Sequence, residues 1–304
     1  MQKVLVIAGP TGVGKSNLGI ELAKKYNGEI ISGDSIQVYK PLTIGSAKIL
    51  PEEMQGIKHH LIDKYELEEG YHVKKFQEEA RLIMESIVKQ GKLPIIVGGT
   101  GLYIKAALYD YQFVDEEEDL ELKESFERLE TEILYEKLRE VDPISAEEIH
   151  PNNRKRIIRA LMVAEATGTT KSELIQSQEH KLLYDAKIIG LTMDRTALYQ
   201  RINDRVLQMI ENGLEKEVSD LFQKDSSLFE YQGMQGIGYK EWKEYFLGSE
   251  TLEEVVQQIQ KHSRQFAKRQ YTWFKNQLPV TWFDIEQTNW KEELEKELTN
   301  WVKE

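Results

Sequence analysis

Short apolar runs alternate with helical periodicity along the first part of the chain. KVLVIAG at 3–9, EIISGDS at 29–35 and LPIIVGG at 93–99 each predict a β-strand, and the third has the apolar content of a strand buried on both faces. Amphipathic helices are predicted from Lys15 to Tyr26 and from Val73 to Gln90. Strands that alternate with crossover helices form a parallel sheet, so this pattern predicts an α/β fold.

Beyond Tyr111 the pattern changes to Glu- and Lys-rich helical periodicity, and the next strand is predicted only at AKIIGLTM, 186–193. We therefore predict a core made of residues 1–113 and 184–304, with a helical C-terminal part. Residues 114–183 are predicted to form an inserted, all-helical domain.

Local signals mark helix ends inside the insertion. A helix is predicted from Asn153 to Thr167 and ends at Gly168, and the capping box of Thr170 and Glu173 begins the next helix. After the strand at AKIIGLTM the chain is again helical, and PVTWFDI is a further candidate strand.

The composition is that of a soluble globular protein, with 40% hydrophobic and 30% charged residues in 304. There is no cysteine, which excludes disulfides, thiolate zinc sites and cysteine nucleophiles. The first apolar run is far shorter than a signal peptide or a membrane-spanning helix. We expect a cytoplasmic, monomeric protein that makes no membrane contact.

The strongest local signal is a phosphate-binding loop between the first strand and the first helix. It satisfies the pattern G-x-x-x-x-G-K-[ST] with Gly9, Pro10, Thr11, Gly12, Val13, Gly14, Lys15 and Ser16. Its backbone N–H groups can surround phosphate oxygens, Lys15 adds a positive charge, and the Ser16 hydroxyl can bind Mg²⁺. The core is therefore predicted to be a P-loop NTPase-like parallel sheet flanked by helices. The loop itself indicates only that a di- or triphosphate binds.

Three further residues are candidates for chemistry at the same edge of the sheet. Asp34 ends the second predicted strand, so its carboxylate should face the phosphate loop, where it could accept a proton. Thr100 follows the third predicted strand, where an ATPase would carry an aspartate. Arg205 shares a predicted helix face with Arg201 and could reach a phosphate. Turn-capping by Asp34 and Thr100, and solvated ion pairs for the arginines, would produce the same patterns.

The net charge of -12 argues against nucleic-acid binding only if the charges are mixed, and here they are segregated. Acidic residues collect at Asp115 to Glu121 and at the C-terminus, whereas Lys261 to Lys275 carries no acidic residue. HPNNRKRIIRAL and HSRQFAKRQYTWFK are basic, and the second interleaves aromatic residues, as on surfaces that bind looped RNA. Amphipathic surface helices with buried aromatics would have the same sequence.

Taken together, the motifs resemble the bacterial tRNA dimethylallyltransferase family. The matching segments occur in family order and are GPTGVGKS, ISGDSIQVYKPLTIGSAK, HHLID, IIVGGTGLY, HPNNRKRIIRAL, RINDRVLQMIENGL, GMQGIGYKEW and FAKRQYTWFK. They span nearly the whole chain, and the last of them ends at residue 275. The resemblance implies transfer of a dimethylallyl group from dimethylallyl diphosphate to the N6 amine of adenine 37 in the tRNA anticodon loop.

The resemblance also implies roles for individual residues. Asp34 would take the proton from the adenine amine, Thr100 would face the leaving oxygen, and Lys15 and Arg205 would stabilise the pyrophosphate with the help of Mg²⁺. The insertion resembles the family's mobile helical domain. Contacts with the tRNA anticodon stem-loop are implied for Asp34, Ser35, Ile36, Gln37, Thr100, Lys123, Lys155, Arg156, Arg159, Gln235, Gly236, Gly238, Tyr239, Lys240, Lys268, Arg269, Gln270, Trp273 and Lys275.

Other functions share part of this pattern. A small-molecule kinase would also have the phosphate loop, and an adenylate prenyltransferase would use the same chemistry on free AMP, but neither needs the two basic segments. An NTP-switched RNA-binding module would bind RNA without forming a covalent product. The chain departs from the family at Gln235 and Lys240, where many members have arginine.

Overall fold

The structure, a computed structural model, describes residues 1–113 and 120–303. Its centre is a six-stranded parallel sheet in the order β3-β2-β4-β1-β5-β6. The strands are β1 (Lys3–Ala8), β2 (Gly28–Ser32), β3 (His59–His60), β4 (Leu93–Val97), β5 (Asp185–Thr192) and β6 (Thr281–Asp284). The prediction of a parallel α/β sheet is confirmed.

Thirteen α-helices are found in the described residues. They are α1 (Lys15–Lys25), α2 (Val73–Lys89), α3 (Gly101–Leu108), α4 (Leu120–Glu127), α5 (Thr131–Val141), α6 (Pro143–Glu148), α7 (Arg154–Thr167), α8 (Lys171–Gln176), α9 (Arg195–Glu211), α10 (Leu214–Lys224), α11 (Lys243–Phe246), α12 (Leu252–Gln277) and α13 (Trp290–Lys303). Short 3-10 helices lie at Leu228–Glu230, Gln232–Gln235 and Lys240–Trp242.

The chain divides into two compact units, Met1–Leu108 with Leu182–Glu304, and Tyr109–Lys181. The first unit contains the whole sheet, and its core lies between the strands and the helices α1, α9, α12 and α13. The second unit begins at Tyr109 and ends at Lys181, whereas the sequence pattern placed its limits at 114 and 183. The acidic residues 115–119 lie outside the described part of the chain.

The second unit is a small helical body with its own core. Leu134 and Leu138 of α5 pack with Ile157 and Leu161 of α7. Arg154, at the start of α7, donates hydrogen bonds to main-chain carbonyls at the end of α4, which fixes the two helices together. Arg154, one of the basic residues of the HPNNRKRIIRAL segment, therefore stabilises the packing of the second unit.

Several local predictions can be compared with the observed elements. The helix predicted from Asn153 to Thr167 is present as α7, with Asn153 as its N-cap and Gly168 as its C-cap, and the capping box of Thr170 and Glu173 is present as well. The two-residue strand β3 was not predicted, because His59–His60 is too short to show a period. Strand β2 ends at Ser32, so Asp34 lies in the following turn. None of the helices in the described ranges has the length and apolar content needed to cross a membrane.

Parallel pairing brings three loops to the same edge of the sheet. Backbone hydrogen bonds tie this edge together: the N–H of Gly33 donates to the carbonyl of Val97 in β4 at 2.8 Å, that of Gly98 to Ile7 in β1 at 3.2 Å, and that of Thr100 to Gly33 at 3.3 Å. The phosphate loop, the turn at Asp34 and the Gly98–Gly101 segment are therefore held side by side at the carboxyl ends of β1, β2 and β4, where open parallel sheets bind ligands.

Candidate active site

The phosphate loop has the backbone shape that its glycines allow. Gly9 has a φ of 140°, and a Cβ there would lie 2.8 Å from the carbonyl oxygen of Leu191, so the loop can pass this close to β5 only as glycine. Gly14 has a φ of 99° and forms the N-cap of α1. The N–H groups at the start of α1 therefore face outward as an anion-binding site.

Lys15 folds back over this loop. Its ammonium group donates a hydrogen bond to the carbonyl of Pro10 at 2.8 Å. Burial, followed by the charge of the nearby Arg205 guanidinium, lowers the pKa of Lys15 to about 7, and the Asp34 carboxylate partly opposes this shift. In the protein without ligand, Lys15 is therefore only partly protonated at neutral pH.

One carboxylate oxygen of Asp34 is bound in a turn, and the other is not used by that turn. Its Oδ1 accepts hydrogen bonds from the backbone N–H groups of Ile36 at 2.8 Å and Gln37 at 3.2 Å. The turn-capping alternative is thus correct for this one oxygen. Because both bonds use Oδ1, the turn fixes the carboxylate and leaves Oδ2 outside it. Asp34 also lies near Lys15 and Arg205, since its charge acts on the pKa of each.

Arg205 lies on α9 across from the phosphate loop. Its Nη1 donates a hydrogen bond to the hydroxyl of Thr11 at 3.3 Å. Burial lowers the pKa of Arg205, and the carboxylates of Asp34 and Glu53 oppose that shift. The guanidinium is nevertheless a fixed cation at neutral pH, because arginine does not lose its proton in proteins.

Gln270 of α12 connects two of the loops. Its Oε1 accepts a hydrogen bond from the backbone N–H of Thr11 at 2.9 Å, and its Nε2 donates to the carbonyl of Gly99 at 3.0 Å. A Cβ on Gly99 would lie 2.1 Å from this amide, so the contact requires glycine. The Gly-Gly-Thr-Gly sequence thus permits the close approach of α12 and leaves Thr100 at the site.

Two adjoining cavities open at this edge of the sheet. One, of about 530 Å³, is mostly polar and is lined by the phosphate loop, including Lys15 and the exposed Ser16. The other, of about 490 Å³, is mostly apolar and is lined by Ile36, Thr100, Tyr103, Ile202, Val206, Met209, Ile237 and Ile259 among others. Both are lined by Thr11, Asp34, Ser46, Arg205 and Phe266. Asp34 and Arg205 therefore lie at the junction of a polar and an apolar space, with Lys15 on the polar side and Thr100 on the apolar side.

The residues predicted to contact RNA occupy different environments. Gln235 and Lys240 are exposed at the apolar cavity, which Ser35, Ile36, Gly236 and Gly238 also line. The ring of Tyr239 is fully buried and the side chain of Gln270 is almost so. The RNA contacts of these two residues stay predictions, and in this structure both side chains make hydrogen bonds within the first unit. The amide of Gln37 donates hydrogen bonds to the carbonyls of Ser46 and Ala47.

The remaining basic residues lie on outer surfaces. Lys268, Arg269 and Trp273 line a groove on α12, and Lys275 is exposed near its end. In the second unit, Lys155, Arg156 and Arg159 are exposed on α7, whereas Lys123 on α4 is half-buried.

The second unit has one further cation that the sequence did not indicate. Burial lowers the pKa of Lys171, and so do the charges of the nearby Arg156 and Arg159, whereas the carboxylates of Glu148 and Asp142 oppose the shift. Lys171 therefore belongs to the same positive cluster, although it lies on a different helix, α8.

Sequence reasoning also missed residues of the cavities themselves. Ser46 and Phe266 line both cavities, and Glu53 is the second carboxylate of the polar one. Ser46 is part of the GSAK segment that carries the resemblance, which was the only available signal. Within the described ranges, no three His, Cys, Asp or Glu side chains come together as a metal site.

Comparison with known proteins agrees with this geometry. The model of the family described as IPP transferase matches residues 37–277. The chain belongs to the IPP transferase family. This IPP transferase chain is 52% identical over 284 residues to a tRNA dimethylallyltransferase of Anoxybacillus flavithermus, with 93% of this chain and 91% of the relative covered.

Solved structures support the same assignment. The tRNA delta(2)-isopentenylpyrophosphate transferase of Staphylococcus epidermidis matches this IPP transferase with a TM-score of 0.74 at 42% identity, over 100% of both chains. A eukaryotic dimethylallyltransferase acting on tRNA matches with a TM-score of 0.83 at 32% identity, over 95% of this chain and 76% of that one. The resemblance stated from the motifs is therefore confirmed.

Proposed function

We propose that the chain transfers a dimethylallyl group from dimethylallyl diphosphate to the N6 amine of adenine 37 in the anticodon loop of tRNA, giving N6-isopentenyladenosine. The observation that carries this proposal is the junction of the two cavities at Asp34 and Arg205. A ligand with an anionic head and a short apolar tail fits across that junction, with its diphosphate in the phosphate loop. Its reactive carbon then lies where the two spaces meet.

The reaction needs a base because the lone pair of the adenine amine is delocalised into the ring. A bond forms between N6 and the allylic carbon while the bond from that carbon to the diphosphate oxygen breaks, and the bonding electrons leave with pyrophosphate. Asp34 accepts the N6 proton on Oδ2, since Oδ1 is used by the turn. The Thr100 hydroxyl faces the departing oxygen.

Negative charge grows on the pyrophosphate as the bond breaks. Lys15, Arg205 and the loop N–H groups are placed to stabilise it, because they converge on the polar cavity before the reaction begins. Binding of the diphosphate also favours the charged form of Lys15 and so reverses the effect of burial on its pKa.

The residues of the polar cavity also fit a magnesium ion. Ser16 offers a hydroxyl and Glu53 a carboxylate on the same cavity. Such a small set of protein ligands suits Mg²⁺, which keeps several waters and is commonly bound through one or two carboxylates plus substrate phosphates. When bound, the ion would neutralise charge on the diphosphate.

Two surfaces are proposed to hold the tRNA. The exposed cations Lys155, Arg156 and Arg159 contact phosphates, and the α12 groove with Lys268, Arg269 and Trp273 offers charge together with an aromatic ring. The target adenine leaves its stack to reach the apolar cavity, which costs less for a loop base than for a paired one.

The test is to incubate the protein with labelled dimethylallyl diphosphate, Mg²⁺ and unmodified tRNA, with AMP and ATP as competitors. The proposal predicts that label enters the RNA at adenine 37 and that neither competitor receives it. Label in AMP would identify an adenylate prenyltransferase, phosphoryl transfer from ATP would identify a kinase, and RNA binding without label would identify a binding module. Each of these results contradicts the proposal.

A further inference from the structure

One loop forms part of the wall of both cavities. We define the cavity loop as residues 43–47. Gly45, Ser46 and Ala47 line the apolar cavity, and Ser46 also lines the polar one. The cavity loop belongs to no strand or helix, and besides its own turn hydrogen bonds it is held by side chains from other parts of the chain.

Glu217 of α10 holds the cavity loop by its main chain. Its Oε2 accepts hydrogen bonds from the backbone N–H groups of Thr43 at 3.2 Å and Ile44 at 2.8 Å, and its Oε1 accepts one from Gly45 at 3.3 Å. A carboxylate that receives three backbone donors fixes the direction of three successive peptide groups. The loop and the helix are 172 residues or more apart in the sequence.

Tyr239 completes this arrangement from the side of the apolar cavity. Its hydroxyl donates a hydrogen bond to Glu217 Oε1 at 2.8 Å and accepts one from the backbone N–H of Ser46 at 3.1 Å. Burial, followed by the charge of Glu217, raises the pKa of Tyr239 well above its ordinary value, so the hydroxyl stays a donor. A Cβ on Gly45 would lie 2.6 Å from the tyrosine ring, so ring and loop touch directly.

Gly238, the residue before Tyr239, is also held in place by hydrogen bonds. The N–H of Gly238 donates to Glu241 at 2.9 Å, and the indole N–H of Trp242 donates to the carbonyl of Gly238 at 2.9 Å. Gly238 lines the apolar cavity, and a Cβ there would lie 2.8 Å from the carbonyl oxygen of Gly45. Tyr239 therefore joins two walls of the cavity, and a shift of its ring would move both.

We propose that Tyr239 and Glu217 are positioning residues for prenyl transfer, which set the shape of the cavity through the cavity loop and contact neither substrate. This inference rests on the proposed function. For Tyr239 this role is an alternative to the RNA contact predicted from the sequence.

The test compares Tyr239→Phe with Tyr245→Phe. Both changes remove one tyrosine hydroxyl that donates to a glutamate of α10, but Tyr239 bonds Glu217 and Ser46 of the cavity loop, whereas Tyr245 bonds Glu215 at 2.5 Å. We expect kcat on an anticodon stem-loop to fall about 10-fold in Tyr239→Phe, because a buried hydrogen bond is lost and the reacting groups are misplaced. The Kd for RNA should stay within about twofold of wild type, and Tyr245→Phe should match wild type in kcat.

Glu217→Gln and the double variant that combines it with Tyr239→Phe keep the test decisive even if one of the single variants folds poorly. Because both residues act through the same loop, the double variant should lose little more kcat than the single variant with the larger loss. Equal kcat values in Tyr239→Phe and Tyr245→Phe, or multiplicative losses in the double variant, would overturn the inference.

Amide hydrogen exchange separates this inference from the proposed function. We expect faster exchange at Thr43, Ile44, Gly45 and Ser46 in Tyr239→Phe and Glu217→Gln, but not in Tyr245→Phe. If wild type shows no prenyl transfer, the proposed function fails and no catalytic role for the two residues survives. If wild type is active but the four amides exchange as in wild type in every variant, only the present inference fails.

Discussion

The side-chain oxygen of Gln270 accepts a hydrogen bond from the backbone N–H of Thr11, in the centre of the phosphate loop, at 2.9 Å. The same amide donates to Gly99, so a single side chain of α12 sets the distance between the phosphate loop and the segment that carries Thr100. The groove of basic and aromatic residues proposed to bind tRNA lies on this same helix. The helix therefore connects a candidate RNA surface to the phosphate site.

Gln270→Leu should separate these two functions of α12. Loss of both hydrogen bonds leaves the Thr11 N–H and the Gly99 carbonyl without their partner, and we expect kcat/KM for dimethylallyl diphosphate to fall about 10-fold. Steady-state kinetics with tRNA in excess measures the change. Gln257→Leu, at an exposed position of the same helix, is the control and should behave as wild type. A normal kcat/KM in Gln270→Leu would show that the bridge is unnecessary.

The pKa of Lys15 predicts a pH dependence for diphosphate binding. The free protein holds this pKa at about 7, below the ordinary lysine value, whereas a bound diphosphate favours the ammonium form. Binding above about pH 7 should therefore take up a proton, and affinity should fall by up to about tenfold for each further pH unit. Calorimetry with pyrophosphate in buffers of different ionisation enthalpy measures the uptake. Lys15→Met should abolish it, and equal uptake in that variant would assign the proton to another group.

The exposed cations of the second unit should raise the affinity for RNA through their charge, without preference for any RNA sequence. Removing one phosphate contact by Lys155→Ala is expected to reduce the slope of log K against log salt by about 0.7 to 0.9. Titration of a labelled anticodon stem-loop at several salt concentrations measures this slope. Lys137→Ala, at another exposed lysine of the same unit, should leave it unchanged. Equal slopes in the two variants would remove Lys155 from the RNA surface.

Much of the fold follows from local sequence. The apolar runs ending near Ala8, Ser32 and Val97 predict buried parallel strands, because no other element accommodates such short apolar segments between amphipathic helices. The end of α7 at Gly168 and the start of α8 at the Thr170 capping box were predicted from their local signals. The strand His59–His60 depends on pairing with β2 and has no signal of its own.

Site residues could be predicted from the sequence only where they belong to a recognisable motif. The phosphate loop and Asp34 follow strands whose direction brings them together. Glu217 lies in an amphipathic helix of ordinary sequence, and nothing local shows that its carboxylate reaches the cavity loop. The burial of Tyr239 could not be predicted either, because it depends on packing against the distant Gly45.

The central claim is that Asp34 takes the proton from the adenine amine, and Asp34→Asn tests it most directly. Asparagine keeps an oxygen for the turn at Ile36 and Gln37 but is no base. Asp194→Asn is the matched control, because Asp194 caps α9 through the same kind of bonds and lines neither cavity.

The measurement is the single-turnover rate of label transfer from dimethylallyl diphosphate to tRNA, with the Kd for tRNA determined alongside. The account predicts that Asp34→Asn lowers this rate by about 10² or more, while the Kd stays near that of wild type and Asp194→Asn transfers at the wild-type rate. A wild-type rate in Asp34→Asn would contradict the account.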